Sequence, residues 1–153
     1  MADRRAFCAS LLALAPALVL TGMLPGRLNA QAFFTDQGLA LRGYDPVAYF
    51  TDGAAWPGSE EFTAQWGGVE WRFVSAANRD AFLATPEAFA PQYGGFCAWA
   101  MSQGYTAPVS PHAWTIVEGR LYLNASTRVH RRWLRDMEDH ITQADANWPA
   151  LRD

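Results

Sequence analysis

Residues 61–74 read EFTAQWGGVEWRFV, and this stretch decides the fold of the chain around it. Apolar and polar side chains alternate on both sides of Gly67-Gly68, and a two-residue glycine turn between alternating segments predicts a β-hairpin. The turn sets the register, and it predicts these facing pairs: Trp66 with Val69, Ala64 with Trp71, and Phe62 with Phe73. These side chains share one face of the ribbon, which we expect to be the core face because strands alternate their sides.

A second hairpin is predicted over residues 114–123, with its turn at Glu118-Gly119. The side chains on its apolar face are Trp114, Ile116, Leu121 and Leu123. Thr115 and Tyr122 pair on the reverse face. The two hairpins lie far apart in the sequence, so they frame the segment between them.

Helices are predicted between and after the hairpins. The predicted segments are 76–84 with Ser75 as its N-cap, a helix that begins at Pro86 after Thr85, 96–103 ended by Gly104, and 127–144 after Ser126. The long helix carries arginines in its first half and carboxylates in its second half, which opposes the helix dipole. The order hairpin, short helices, hairpin, long helix predicts a small α+β domain.

The first thirty-two residues resemble an export signal. Arg4-Arg5 precede an apolar stretch, and Ala30-Gln31-Ala32 offers a small-residue cleavage site. We therefore predict a twin-arginine (Tat) signal over residues 1–32, a single domain over residues 33–153 and a periplasmic location. An ordinary secretory signal is the alternative. Prolines and glycines interrupt the apolar stretch, so no stable membrane span is expected once the signal is removed.

Composition and motifs limit the classes of function that the chain can have. Residues 33–153 hold nine arginines and fourteen carboxylates, a formal charge of −5 that gives no support for nucleic-acid binding. No Ser–His–Asp order, paired-carboxylate spacing, phosphate-binding loop or dinucleotide fingerprint is present. The sequence therefore carries no signature of catalysis.

Several motifs together resemble the exported branch of the YHS-domain family. They are GYDPVAYF at 43–50, WRFVSAAN at 71–78, PEAF at 86–89, PQYGGFCA at 91–98 and WTIV at 114–117. The resemblance covers about residues 39–151. Metal-associated members of the family carry additional cysteines, and this chain has Ala48, Val74 and Asn78 at those places. A closed four-cysteine zinc site is therefore not implied, and Cys97 remains.

Cys97 is the single cysteine of residues 33–153, so it cannot form an internal disulfide there. A helix over 96–103 would place the thiol in its first turn, which favours a thiolate. Met101 would lie one turn further, and His112 follows in a loop, so the three could bind a soft ion such as copper. A small ligand near Cys97 is a related hypothesis. The alternatives are a packed thiol in a domain that binds a protein partner, and a thiol redox protein.

A polar cluster precedes the first hairpin, and its members are Arg42, Tyr44, Asp45 and Tyr49. Asp45-Pro46 is a turn signal, and the Asp45 side chain is expected to cap the short segment that follows. The alternative places Asp45 and Tyr44 at the mouth of the same pocket as Cys97. His130 and His140 are ten residues apart on one predicted helix, so they cannot serve one site.

Overall fold

The computed structural model describes residues 33–153, and the predicted export signal at residues 1–32 lies outside them. The described chain is an α+β domain, as the sequence predicts. Its strands are β1 (Thr35–Asp36), β2 (Leu39–Ala40), β3 (Ser59–Trp66), β4 (Val69–Phe73), β5 (Ser110–Val117) and β6 (Arg120–Asn124). Its helices are α1 (Ala48–Thr51), α2 (Ala76–Ala84), α3 (Pro86–Phe89), α4 (Ala98–Ser102), α5 (Thr127–Trp133) and α6 (Met137–Leu151). Short 3-10 turns occur at Leu41–Gly43, Gln92–Gly95 and Leu134–Asp136.

The first predicted hairpin forms strands β3 and β4 of a four-stranded sheet with the order β1-β2-β4-β3. The pairs next to the glycine turn are confirmed, including Trp66 with Val69 and Ala64 with Trp71. The predicted pair of Phe62 with Phe73 is wrong, because Ser59 lies opposite Phe73 after a shift in register.

A close approach of two backbones accompanies this shift. A Cβ atom on Gly58 would lie 2.4 Å from the Arg72 carbonyl carbon, a distance that only glycine permits. Gly58 also donates its N–H to the Gly43 carbonyl oxygen at 2.8 Å. The strand is therefore held against β4 at Ser59, and the residues between Ser59 and Thr63 form the irregular segment.

The second predicted hairpin forms strands β5 and β6, and its register is confirmed. Trp114 pairs with Leu123, Thr115 with Tyr122 and Ile116 with Leu121. The ladder extends beyond the predicted range to Ser110 and Asn124, again after a shift in register.

Two apolar clusters hold the domain together. The larger cluster joins the faces of both sheets to α2 and contains Trp71, Phe73, Phe82, Leu121 and Leu123. The smaller cluster lies under α5 and α6 and contains Tyr93, Ala98, Met101, Tyr122, Trp133 and Ala144. Adjacent residues of β6 alternate between the clusters, so this strand joins them.

The predicted long helix is divided in two. It begins after Ser126, whose hydroxyl accepts from the Val129 N–H at 3.2 Å, as predicted. It is interrupted at Leu134–Asp136, and α6 then continues to Leu151 rather than ending at residue 144. The break removes the predicted conflict with the helix dipole. Arginines now lie in the last turn of α5, and Glu138 and Asp139 lie in the first turn of α6, where each charge is favourable.

The helix over 76–84 is confirmed, and Ser75 caps it by accepting from the Asn78 N–H at 3.1 Å. Among residues 33–153, no helix has the length and apolar character needed to cross a membrane.

Candidate functional site

The Cys97 thiol lies in the protein interior. Its side chain is 1% exposed and belongs to the larger apolar cluster. The thiol donates a weak hydrogen bond to the side-chain oxygen of Asn124, 3.7 Å from Sγ. Burial of this kind is typical of a packed thiol, because a reactive or metal-binding thiolate needs access and polar surroundings.

The predicted position of Cys97 in the first turn of a helix is wrong. Helix α4 begins at Ala98, and Cys97 is its N-cap with non-helical backbone angles. The Cys97 N–H donates to the Ala107 carbonyl oxygen at 3.0 Å, so this donor is already satisfied. Since α4 has only five residues, it also supplies little of the positive dipole expected at the thiol.

Met101 and His112 lie in other surroundings. Met101 is fully buried in the smaller apolar cluster, whereas Cys97 belongs to the larger one. The His112 side chain is exposed, and its Nε2 lies 3.3 Å from the Tyr44 hydroxyl. Residues 33–153 contain no group of three or more His, Cys, Asp or Glu side chains that could hold a metal ion. The copper site of Cys97, Met101 and His112 stays a prediction.

Asn124 is a completely buried polar residue that sequence reasoning did not select. Its side-chain oxygen accepts from the Trp99 N–H at 3.1 Å and fixes the start of α4 against the end of β6. Its amide nitrogen finds no acceptor within the described chain. Position at the end of an apolar strand is the one signal that could have pointed to it.

The Asp45 carboxylate is completely buried and serves the fold. One oxygen accepts from the Val47 and Ala48 N–H groups at 2.8 and 3.3 Å. The other accepts from the Val74 N–H at 2.9 Å and the Asn78 amide at 2.7 Å. The capped turn predicted from Asp45-Pro46 is thus present, and this carboxylate has no free side to line a pocket.

A cleft opens where both hairpin turns meet α3 and α6. Its volume is about 320 Å³, at the small end of the range for ligand sites. The lining residues are Trp66, Glu87, Ala90, Pro91, Gln92, Tyr93, Arg120, Asp145 and Trp148. The residues come from four separate stretches of the chain, so the cleft exists only in the folded domain.

Tyr93 forms the buried floor of this cleft. Its hydroxyl donates to the Asp145 carboxylate at 2.8 Å, and its ring lies 6.2 Å from that of Trp148. Burial raises the pKa of Tyr93 far above its usual value, and the hydrogen bond to Asp145 raises it further. The hydroxyl therefore stays protonated and can act only as a neutral hydrogen-bonding group.

The backbone that presents Tyr93 is unusual. Three consecutive residues, Tyr93, Gly94 and Gly95, have positive φ angles of 55°, 60° and 83°. For tyrosine this conformation costs about 1–2 kcal/mol, whereas glycine adopts it freely. The Gly94 carbonyl oxygen accepts from the Phe34 N–H at 2.9 Å, which helps to hold the turn. Strain of this kind concentrates at functional sites.

The charged groups of the cleft are Arg120, Glu87 and Asp145. None of them forms an ion pair within 4.0 Å inside residues 33–153. Arg120 also acts on Tyr122, whose ring lies 5.9 Å from that of Tyr93: burial raises the pKa of Tyr122, and the Arg120 guanidinium works in the opposite direction. The cleft thus offers one cation and two carboxylates beside two indole rings, a set suited to binding.

Sequence reasoning selected the stretch that contains Tyr93 but missed the other polar residues of the cleft. Arg120 follows a hairpin turn and could have been noticed there. Asp145 and Trp148 are three residues apart and therefore share a helix face. No signal in the sequence joins these elements, since their meeting depends on how the helix packs against both hairpins.

The chain matches no protein-family model, no curated protein and no solved structure significantly. The resemblance to the YHS-domain family thus rests on its motifs and stays a prediction.

Proposed function

We propose that this chain is an exported, non-catalytic binding module that takes a small polar ligand in the cleft above Tyr93. The observation that carries the proposal is the meeting of unpaired charges and indole rings around one concave site of about 320 Å³. Export is part of the proposal and rests on the twin-arginine pattern of residues 1–32.

The backbone around Tyr93 supports a binding role. A tyrosine held in the left-handed region costs stability, and such a cost persists where the surrounding structure fixes it for a purpose. Here the strained turn places the Tyr93 hydroxyl against Asp145, and this hydrogen bond holds one oxygen of a carboxylate that lines the cleft. The site is therefore preorganised before a ligand arrives.

The chemistry of the lining supports binding rather than turnover. The cleft is lined by no serine, cysteine or histidine within the described residues, so a nucleophile with an adjacent base is missing there. The Tyr93 hydroxyl keeps its proton because of its raised pKa. In this proposal Cys97 is structural, which agrees with its 1% exposure.

Native mass spectrometry of the protein purified from its own periplasm tests the proposal. We expect an adduct with the mass of a small organic molecule. The adduct should disappear in Glu87→Trp, which fills the cleft from an exposed position, and persist in Glu61→Trp, an exposed site on β3. A small-molecule extract of the same periplasm should raise the melting temperature of the wild type and of Glu61→Trp. It should not raise the melting temperature of Glu87→Trp, whose cleft is filled.

The same spectra test the copper hypothesis. A mass gain of one copper ion that is lost in Cys97→Ser would favour the copper site predicted from the sequence. Protein without any adduct, whose melting temperature does not respond to the extract, would contradict the proposed function.

A further inference from the structure

We infer that the cleft selects a small zwitterion, a molecule that carries an ammonium group and a carboxylate on an apolar body. This inference rests on the proposed function and names the ligand class of that site. It follows from the separation of opposite charges around the cleft and from the walls between them.

The first step is that the charges are near each other but unpaired. Arg120 and Asp145 both line the cleft, and Asp145 lies against the Tyr93 hydroxyl at its floor. No nitrogen of Arg120 comes within 4.0 Å of a carboxylate oxygen in the described chain. A ligand that carries both charges can therefore contact Arg120 and Asp145 at the same time.

The acidic side suits an ammonium group. One oxygen of Asp145 accepts the Tyr93 hydroxyl, and its second oxygen has no partner among residues 33–153. Glu87 lines the same cleft from the first turn of α3 and is exposed. Two carboxylates can share the donors of one ammonium, and such charge-assisted bonds are stronger than neutral ones.

The basic side suits a carboxylate. The guanidinium of Arg120 offers a planar fork of donors that matches two carboxylate oxygens. Arg120 is at the first position of β6, directly after the hairpin turn, so its side chain is held at the rim by an ordered strand.

The walls suit an apolar body of limited size. The indole rings of Trp66 and Trp148 are half-buried and line the cleft. A volume of about 320 Å³ lies at the small end of the range for ligand sites, so the cleft takes a small molecule rather than a polymer. Aromatic faces also stabilise a nearby ammonium.

Ligands with one charge fit less well. A simple amine would satisfy the carboxylates but leave Arg120 repelling it, and a simple acid would satisfy Arg120 but face Glu87 and Asp145. Selectivity therefore comes from repulsion as well as attraction.

Isothermal titration calorimetry with the purified protein tests this. The probes are the twenty common amino acids, and, for the one that binds most tightly, the amine without its carboxylate and the acid without its amino group. We expect the complete amino acid to bind at least about tenfold more tightly than either half, because each half loses a charge-assisted contact.

Two variants assign the halves to their residues. Arg120→Gln should lower the affinity for the amino acid about tenfold and leave the affinity for the amine unchanged or higher. Asp145→Asn should also lower the affinity for the amino acid about tenfold, and it should leave the affinity for the acid unchanged or higher. The Asn side chain can still accept the Tyr93 hydroxyl. Arg128→Gln, an exposed arginine on α5 away from the cleft, should behave as the wild type.

The outcomes separate this inference from the proposed function. An amine or acid that binds as tightly as the complete amino acid, or a native adduct that carries only one kind of charge, overturns the zwitterion but keeps the binding module. The zwitterion inference is also overturned if none of the twenty amino acids gives a heat of binding. Only the added absence of any native adduct and of any response to the extract overturns both.

Discussion

Replacement of Asp45 by asparagine should destabilise the domain by about 3 kcal/mol. The carboxylate is fully buried and accepts four hydrogen bonds, two on each oxygen. An asparagine oxygen can keep the bonds from Val47 and Ala48. Its NH₂ group would then face the Val74 N–H and the Asn78 amide, so two part-buried donors lose their acceptor. Each loss costs about 1–3 kcal/mol, and rotation of the half-exposed Asn78 relieves part of it.

Urea unfolding followed by tryptophan fluorescence measures this. A loss of about 3 kcal/mol lowers the midpoint by roughly 2 M if the slope is about 1.5 kcal/mol per molar urea. Asn78→Ala should cost only about 1 kcal/mol, because Asp45 keeps its bond from the Val74 N–H. Asp52→Asn, at an exposed position just after α1, is the matched control and should stay within about 0.5 kcal/mol of the wild type.

Two results would refute the reasoning. One is an Asp45→Asn variant within about 0.5 kcal/mol of the wild type, which would mean that the carboxylate is not the shared acceptor of these donors. The other is an Asn78→Ala variant as unstable as Asp45→Asn, which would assign the effect to the start of α2 alone.

Three further measurements follow from the structure. Burial lowers the pKa of His130, so below about pH 6.5 the unfolded chain takes up the proton more readily than the folded one. The urea midpoint should therefore fall between pH 7.5 and 5.5, with a smaller slope in His130→Gln but not in the exposed control His112→Gln; equal slopes in all three would contradict this. Gly95→Ala should lower the free energy of unfolding in urea by more than Gly119→Ala does. Both glycines have positive φ, but a Cβ at Gly95 would lie 3.3 Å from the Pro91 side chain, whereas a Cβ at Gly119 would have no atom within 4 Å. The Cys97 thiol should react with a disulfide reagent only at the rate of unfolding, since it is 1% exposed; rapid reaction in native buffer would disprove its burial.

The local parts of the fold were predictable because their signals are local. The glycine turns set both hairpin registers close to the turn, and Ser75 and Ser126 began helices where predicted. The errors lie further from those signals. The register near Ser59 depends on how closely Gly58 approaches β4, and that approach is a tertiary contact.

The break in the long helix shows how a sequence conflict can carry information. Arginines followed by carboxylates looked unfavourable for one helix dipole. The same order is favourable for two helices, because the first ends and the second begins between the two groups of charges. The conflict in the predicted helix was therefore evidence for a boundary near Leu134–Asp136, and charge order alone could have located it.

The stretch QYGGFCA drew attention to its cysteine, yet its conformation serves two different surroundings. Tyr93 and Cys97 are only four residues apart, but Tyr93 belongs to the smaller apolar cluster and Cys97 to the larger one. The left-handed residues between them turn the chain so that the tyrosine reaches the cleft and the thiol packs inside. Two adjacent glycines permit this reversal, since most other residues would resist three positive φ angles in succession. The chemical interest of the motif thus shifts from the sulfur atom to the backbone that orients Tyr93 and, through its hydroxyl, Asp145.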